Sequence, residues 1–279
     1  MTPDAPSAPL AGRVAVVTGA SRGMGRAIAL RLARDGADCV VVYRRDHARA
    51  GVVVAEIERL GRRALALAIE LGEPDEVPPG FARIAETFGR VDVFVANAAA
   101  TAFRPTLEQK PHNVRRTLAI SLESFVAAVQ AVVPLMRGRP GRIVAVSGID
   151  SQQAMRGHGV LGAAKAGLES LVRTLAMELG PLGITVNGVN PGLVETDSSQ
   201  MYVERGLERE YAATVARVAA ATPVRRAGSG EDVAGLVAYL ASDAASFLTG
   251  QTIVIDGGLT IVSPLELLNA IPGPGAPDA

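Results

Sequence analysis

Two side chains in the second half of the chain have the chemistry to handle a proton: His158 and, seven positions later, Lys165. Of the 28 Lys and Arg residues only Lys110 and Lys165 are lysine, so a lysine retained here is informative. A guanidinium cannot stand in for a compact ammonium whose pKa shifts on burial. Imidazole is the side chain whose ordinary pKa suits it to acid–base work near neutrality. Ser147, Asp150 and Ser151 lie just upstream. The serines offer hydroxyls to orient a substrate, although loop serines also make turns and caps, and Asp150 would assist His158 if the two meet.

A second set of residues points to a nucleotide. The run VAVVT (14–18) leads straight into GASRGMG, so that Gly19, Ser21, Arg22, Gly23, Met24 and Gly25 join a strand to a helix. Glycines there let the backbone approach a pyrophosphate, whose charge sits at the helix N-terminus. An NAD enzyme places an acid at the end of the second strand for the ribose 2′-hydroxyl. This strand ends Val42-Tyr43-Arg44-Arg45, with no acid before Asp46. Arg44 or Arg45, helped by Arg22, suits a 2′-phosphate, and the expected cofactor is NADP(H).

The elements that must position these groups are legible as alternation. Apolar runs at 14–18, 39–43, 64–68, 91–96, 142–147, 184–189 and 252–256 are separated by helical patterns, including 47–60, 74–88 and 158–179. Seven nearly continuous apolar strands predict a buried parallel sheet, an α/β, Rossmann-type doubly wound single domain. Residues 1–11 read as a disordered lead and 12–258 as the nucleotide-binding domain. Residues 195–223 read as a helical flap bearing Met201 and Tyr202, and 259–279 as a tail ending in a disordered PGPGAPDA.

Over residues 13–258 these pieces resemble the short-chain dehydrogenase/reductase family. The runs VDVFVANAAATAFRP and VSGIDSQQAMRGHGVLGAAK are most similar to its divergent enoyl-acyl-carrier-protein reductases. The resemblance implies that Asn97, with Ala98, holds the wall of the adenosine ribose. It implies that Glu70 and Leu71 lie near adenine, and that Pro191, Gly192, Val194 and Thr196 of NPGLVET face the nicotinamide carboxamide. Lys165 matches the family's lysine. The family's tyrosine falls on Leu161, its serine on Gly148 and its relay asparagine on Ser121, so the usual phenolic acid is missing. In the enoyl-reductase register, with tyrosine seven residues before lysine, the position is His158. A homotetramer, or a dimer, packed through the Lys-bearing helix and the long helix before it is also implied.

Composition bounds the rest. The chain has 48% apolar and 20% charged residues and zero formal net charge, which supply a core and no basic field for nucleic acid. Single Cys39 excludes an internal disulfide and fits a reducing compartment. The segment from Leu122 to Met136, broken by Glu123 and Gln130, reads as too short to span a bilayer. The expectation is a cytoplasmic protein with no metal, no nucleic-acid or membrane partner, and a small lipophilic substrate touching Tyr202 and Met201. Three functions fit: an NADP(H)-dependent reductase of an enoyl or keto group, a repurposed non-redox enzyme (cyclase, isomerase or dehydratase), and a non-catalytic nucleotide-binding partner.

Overall fold

A computed structural model describes residues 8–263, 265 and 266. The strands are β1 (Val14–Thr18), β2 (Asp38–Tyr43), β3 (Ala64–Ala68), β4 (Val93–Ala96), β5 (Gly141–Val146), β6 (Ile184–Pro191) and β7 (Thr252–Ile255). All pair in parallel in the order β3-β2-β1-β4-β5-β6-β7. The seven-stranded doubly wound sheet expected from the sequence is present. Strand order reverses between β1 and β4, which opens a crevice at their C-terminal ends, where ligands of such sheets bind.

The helices are α1 (Gly23–Arg34), α2 (His47–Arg59), α3 (Val77–Phe88), α4 (Pro111–Leu118), α5 (Ser124–Met136), α6 (Gly159–Leu179), α7 (Asp197–Met201), α8 (Tyr211–Ala221) and α9 (Gly230–Ala241). Each face of the sheet has its own core. On one side Ile28, Leu32, Val53, Ile57, Val237 and Leu240 bring in α1, α2 and α9. On the other, Phe81, Ile84, Phe125, Val132, Leu168 and Val172 bring in α3, α5 and α6. Strands covered on both faces are near-continuous apolar runs, and β1 and β5 are buried throughout, with Thr18 and Arg142 as their polar members.

Two expectations change. Of the lead, residues 1–7 lie outside the described residues, but residues 8–11 are not a loose end. Leu10 is fully buried in the first core and its N–H donates to Asp35 O at 2.8 Å. One large apolar side chain anchors a segment that composition alone marks as disordered.

The segment read as too short for a membrane is part of a longer rod, because a π-helical turn (Ala119–Glu123) joins α4 to α5. The resulting helix, Pro111–Met136, is long and apolar enough to cross a bilayer by length and composition. Its apolar face is used otherwise: Phe125, Ala128, Val129, Val132 and Met136 pack into the second core. The tail begins with a 3-10 turn (Leu259–Ile261), and its PGPGAPDA end lies outside the described residues.

Candidate functional site

The glycine loop is built as its spacing predicts. Gly19 and Gly23 have φ of +65° and +56°, the left-handed region that favours glycine. Gly25 is required by packing instead: a Cβ there would stand 2.3 Å from Gly19 O and 2.6 Å from Asn97 Nδ2. Asn97 braces the loop from β4, its Nδ2 donating to Thr18 O at 2.9 Å and Gly19 O at 3.3 Å. Helix α1 starts at Gly23 with no side-chain cap, so its first N–H groups are left for an anion.

Around this loop lies a cleft of about 510 Å³. Ser21, Arg22, Met24, Arg44, Arg45, Glu70, Leu71, Ala98 and Thr196 all line it, with the glycines and Asn97. Pro191, Gly192 and Val194, expected beside the nicotinamide, are not among its lining residues. Val194 instead faces the first core. A cradle that a Cβ would fill, an uncapped helix end and arginines at the β2 edge fit a phosphorylated dinucleotide.

Charge around the cleft is arranged in two clusters. Arg44 Nε donates to Glu70 Oε2 at 2.6 Å, while Arg116 Nη2 and the Gly72 N–H hold Oε1 at 3.1 Å. Burial acts to raise the Glu70 carboxyl, but the hydrogen bonds from Arg44 and Gly72 and the Arg116 charge prevail and hold it below the usual range. Asp197 is held low chiefly by its bond from Arg49 and also by Arg22, at 2.8 and 3.2 Å. Asp46, the first acid after β2, is occupied as the N-cap of α2, accepting from Arg49 N at 3.0 Å.

Lys165 lies deeper, on α6. Its ammonium is buried and donates to Val146 O at 2.6 Å. Burial lowers its pKa to about 8, against the opposing charges of Asp150 and Glu169. A void of about 20 Å³ beside it is bounded by Thr18, Ile120, Ser121 and Leu168. The π turn carries Ser121 to this void, and its Oγ has no hydrogen-bond partner among the described residues. Leu161, at the tyrosine position, is buried.

The two loop serines serve another purpose than the one expected. Ser147 Oγ and Ser151 Oγ each donate to Glu169 Oε1 at 2.6 Å. Asn190 Nδ2 reaches the same oxygen at 2.9 Å. A hydroxyl has one proton to give, so neither serine has one left for a substrate carbonyl. Sequence reasoning missed Glu169 and Asn190. An acid four residues after Lys165, on the same face of α6, was the available signal.

His158 and Asp150 do meet. The Nδ1 of His158 lies 3.0 Å from Asp150 Oδ2, with the side chains 12% and 6% exposed. The imidazole stacks on Phe103, centroids 5.1 Å apart at 27°, and meets the edge of Tyr202 at 4.3 Å. Tyr202 is therefore part of this pocket, although its hydroxyl donates to Arg156 O at 3.0 Å and is not a free phenol. Burial, then the nearby Asp150 charge, push its pKa up. Met201 is partly exposed on the same flap. Outside the pair runs a groove of about 590 Å³ lined by Thr106, Gln152, Met155, Arg156, Gly159 and Ala163, among others. Phe103 had no sequence signal, since it arrives from the loop after β4.

A doubly wound sheet with a glycine loop at its switch point and a buried lysine on α6 defines a nucleotide-dependent oxidoreductase. The chain belongs to the short-chain dehydrogenase/reductase family. A family model described as enoyl-(acyl carrier protein) reductase matches residues 19–260. The chain is 40% identical over 252 residues to the 1-cyclohexenylcarbonyl-CoA reductase of Streptomyces collinus, covering 90% of this chain and 88% of that protein. It is 35% identical over 254 residues to a 3-oxoacyl-[acyl-carrier-protein] reductase of Synechocystis, covering 90% of this chain and 98% of that one. Among solved structures, a short-chain dehydrogenase of Burkholderia cenocepacia in complex with NADP matches with TM-score 0.81 and 34% identity, over 90% of this chain and 99% of that one.

Proposed function

We propose that the protein is an NADP(H)-dependent reductase of α,β-unsaturated acyl thioesters with a lipophilic acyl group. The observation that carries this is the pairing of a built nucleotide cleft and buried Lys165 with a pocket that has no phenol at position 161. Reducing a ketone produces a localised alkoxide, which needs a proton delivered to the carbonyl oxygen as it forms. Conjugate reduction of an enoyl thioester produces a delocalised enolate, which needs a hydrogen bond or positive charge at oxygen and a proton at carbon. A site without the phenol suits the second demand better. The similarity to a reductase of a cyclohexenylcarbonyl thioester supports the same substrate class, and Phe103, Tyr202 and Leu161 suit an apolar acyl chain.

In this reading the glycine loop and the first turn of α1 bind the pyrophosphate, and Lys165 holds the nicotinamide ribose. The reduced nicotinamide supplies the hydride. Preference for the 2′-phosphate is supported by Arg44, which gives only its Nε to Glu70, and by Arg45, which lines the cleft beside it. Asp46 is committed to capping α2 and is not offered to a ribose hydroxyl.

Titration of cofactor fluorescence tests the cleft. The expected outcome is micromolar NADPH binding at least about tenfold tighter than NADH, a margin of roughly 1.4 kcal/mol, and lost in Arg44→Ala/Arg45→Ala. Deuterium from labelled NADPH should then appear at the β-carbon of the saturated thioester. Binding of neither nucleotide, or turnover of a thioester without label transfer, overturns the reductase reading.

A further inference from the structure

We infer that Asp150 and His158 form the proton-donating pair of this pocket, and that Gly148 is the vacancy that admits them. The inference rests on the reductase reading of the site and names the group that replaces the absent phenol.

Three observations converge. An ionised carboxylate only accepts hydrogen bonds, so Asp150 Oδ2, 3.0 Å from Nδ1, fixes the proton on that nitrogen and leaves Nε2 as the working atom. Nε2 is buried and has no hydrogen-bond partner among the described residues. Such an orphan is costly to bury and is a feature of sites that act on a ligand. The ring itself is clamped, with Phe103 on its face and Tyr202 at its edge.

The glycines beside Asp150 explain the altered positions. A Cβ on Gly148 would stand 2.6 Å from Asp150 Oδ1, and one on Gly162 would stand 2.3 Å from Asp150 O. A side chain at 148, including the serine its relatives' pattern calls for, would require the carboxylate that orients His158 to move from its present position. Leu161 fills the phenol's place with a buried apolar side chain. The titratable and charged groups facing the imidazole are Asp150 from the β5–α6 loop and Tyr202 from the flap. Arg156 lies beside Tyr202, and Lys165 acts on Asp150 from α6.

Hydride adds with its electron pair to the β-carbon as the nicotinamide is oxidised. The C=C π pair moves toward the thioester oxygen, giving an enolate. The imidazolium stabilises that charge and donates its Nε2 proton to the α-carbon. Neutral imidazole remains, its Nδ1–H on Asp150, and takes a proton back from water.

The test uses His158→Gln and Asp150→Asn in the full chain, each checked for an unchanged NADPH affinity and a cooperative thermal transition. His158→Gln should lose about 10²–10⁴-fold in kcat, and the fall of kcat/KM with rising pH expected of the parent should be absent. An independent readout is ¹⁵N NMR of the three histidines, assigned by the His158→Gln spectrum. His158 should be the Nδ1-protonated tautomer in its neutral form and lose that preference in Asp150→Asn. Parent activity with His158→Gln within threefold and the same pH profile overturns the inference while leaving the reductase reading intact. Absence of label transfer in the parent removes the reductase reading itself.

Discussion

Lys165 carries an ammonium into a site screened from water, and its neighbours recover only part of the cost. With a pKa lowered from 10.5 to about 8, the folded chain binds fewer protons at this residue than the unfolded chain between those two values. Burial of the charge therefore destabilises the fold fully below pH 8, and the penalty fades as pH rises toward the ordinary lysine range. The shift corresponds to roughly 3 kcal/mol. Lys165→Met should melt at a higher temperature than the parent at pH 7, with the gain vanishing near pH 10.5, while the nucleotide affinity falls. Thermal scans across that range decide it, and equal melting at pH 7 contradicts the reading.

Glu169 is the opposite case, a buried carboxylate whose single oxygen Oε1 receives three donors. Glu169→Leu leaves Ser147, Ser151 and Asn190 without that acceptor. The expected cost is about 1–3 kcal/mol or more, since buried neutral donors are left without their acceptor. Urea denaturation measures it, and a change below 1 kcal/mol would show that the network rearranges freely.

At the scale of elements, the glycine loop and α1 act as one unit because Gly25 lets the helix seat against Gly19 and Asn97. Gly25→Ala forces that contact apart. It should cost about 1–3 kcal/mol and at least tenfold in NADPH affinity, both readable in one thermal-shift titration. The flap depends on a different local device. Thr196 and Ser199 form a capping box at the start of α7, and Thr196 also lines the nucleotide cleft. Thr196→Ala should cost about 1 kcal/mol and raise hydrogen exchange over residues 197–206, including the segment that holds Tyr202 against His158. Unchanged exchange there would separate the cap from the flap's order.

For the molecule as a whole, the sheet divides its helices between two cores, and α6 does double duty. Its inner face carries Lys165, Leu168, Glu169 and Val172, all buried. Its outer face presents Ala163, Ala166, Ser170 and Met177, the last 74% exposed. We propose that this outer face, with the long helix ending at Met136, joins subunits into a dimer or tetramer. Light scattering should give a mass that is a multiple of 28.8 kDa, and Ala166→Arg should reduce it. A monomeric parent rejects the proposal.

What the sequence by itself determined is what depends on neighbours along the chain. Strand runs, helix periods and the glycine loop are local patterns, so the sheet, the nucleotide cleft and the placing of Lys165 on a helix were readable from Val14 to Ile255. The missing tyrosine was readable too, as Leu161. Tertiary structure alone decided what each polar group touches. It withdrew Ser147 and Ser151 by bringing Glu169 and Asn190 to them, and it buried Leu10 under α1 despite a lead that reads as disordered. It also turned Gly148 from a lost serine into space for Asp150. The physical reason is that a hydroxyl proton, a carboxylate oxygen or a missing Cβ has a role only relative to atoms brought beside it by distant elements, and no spacing in the sequence records that distance.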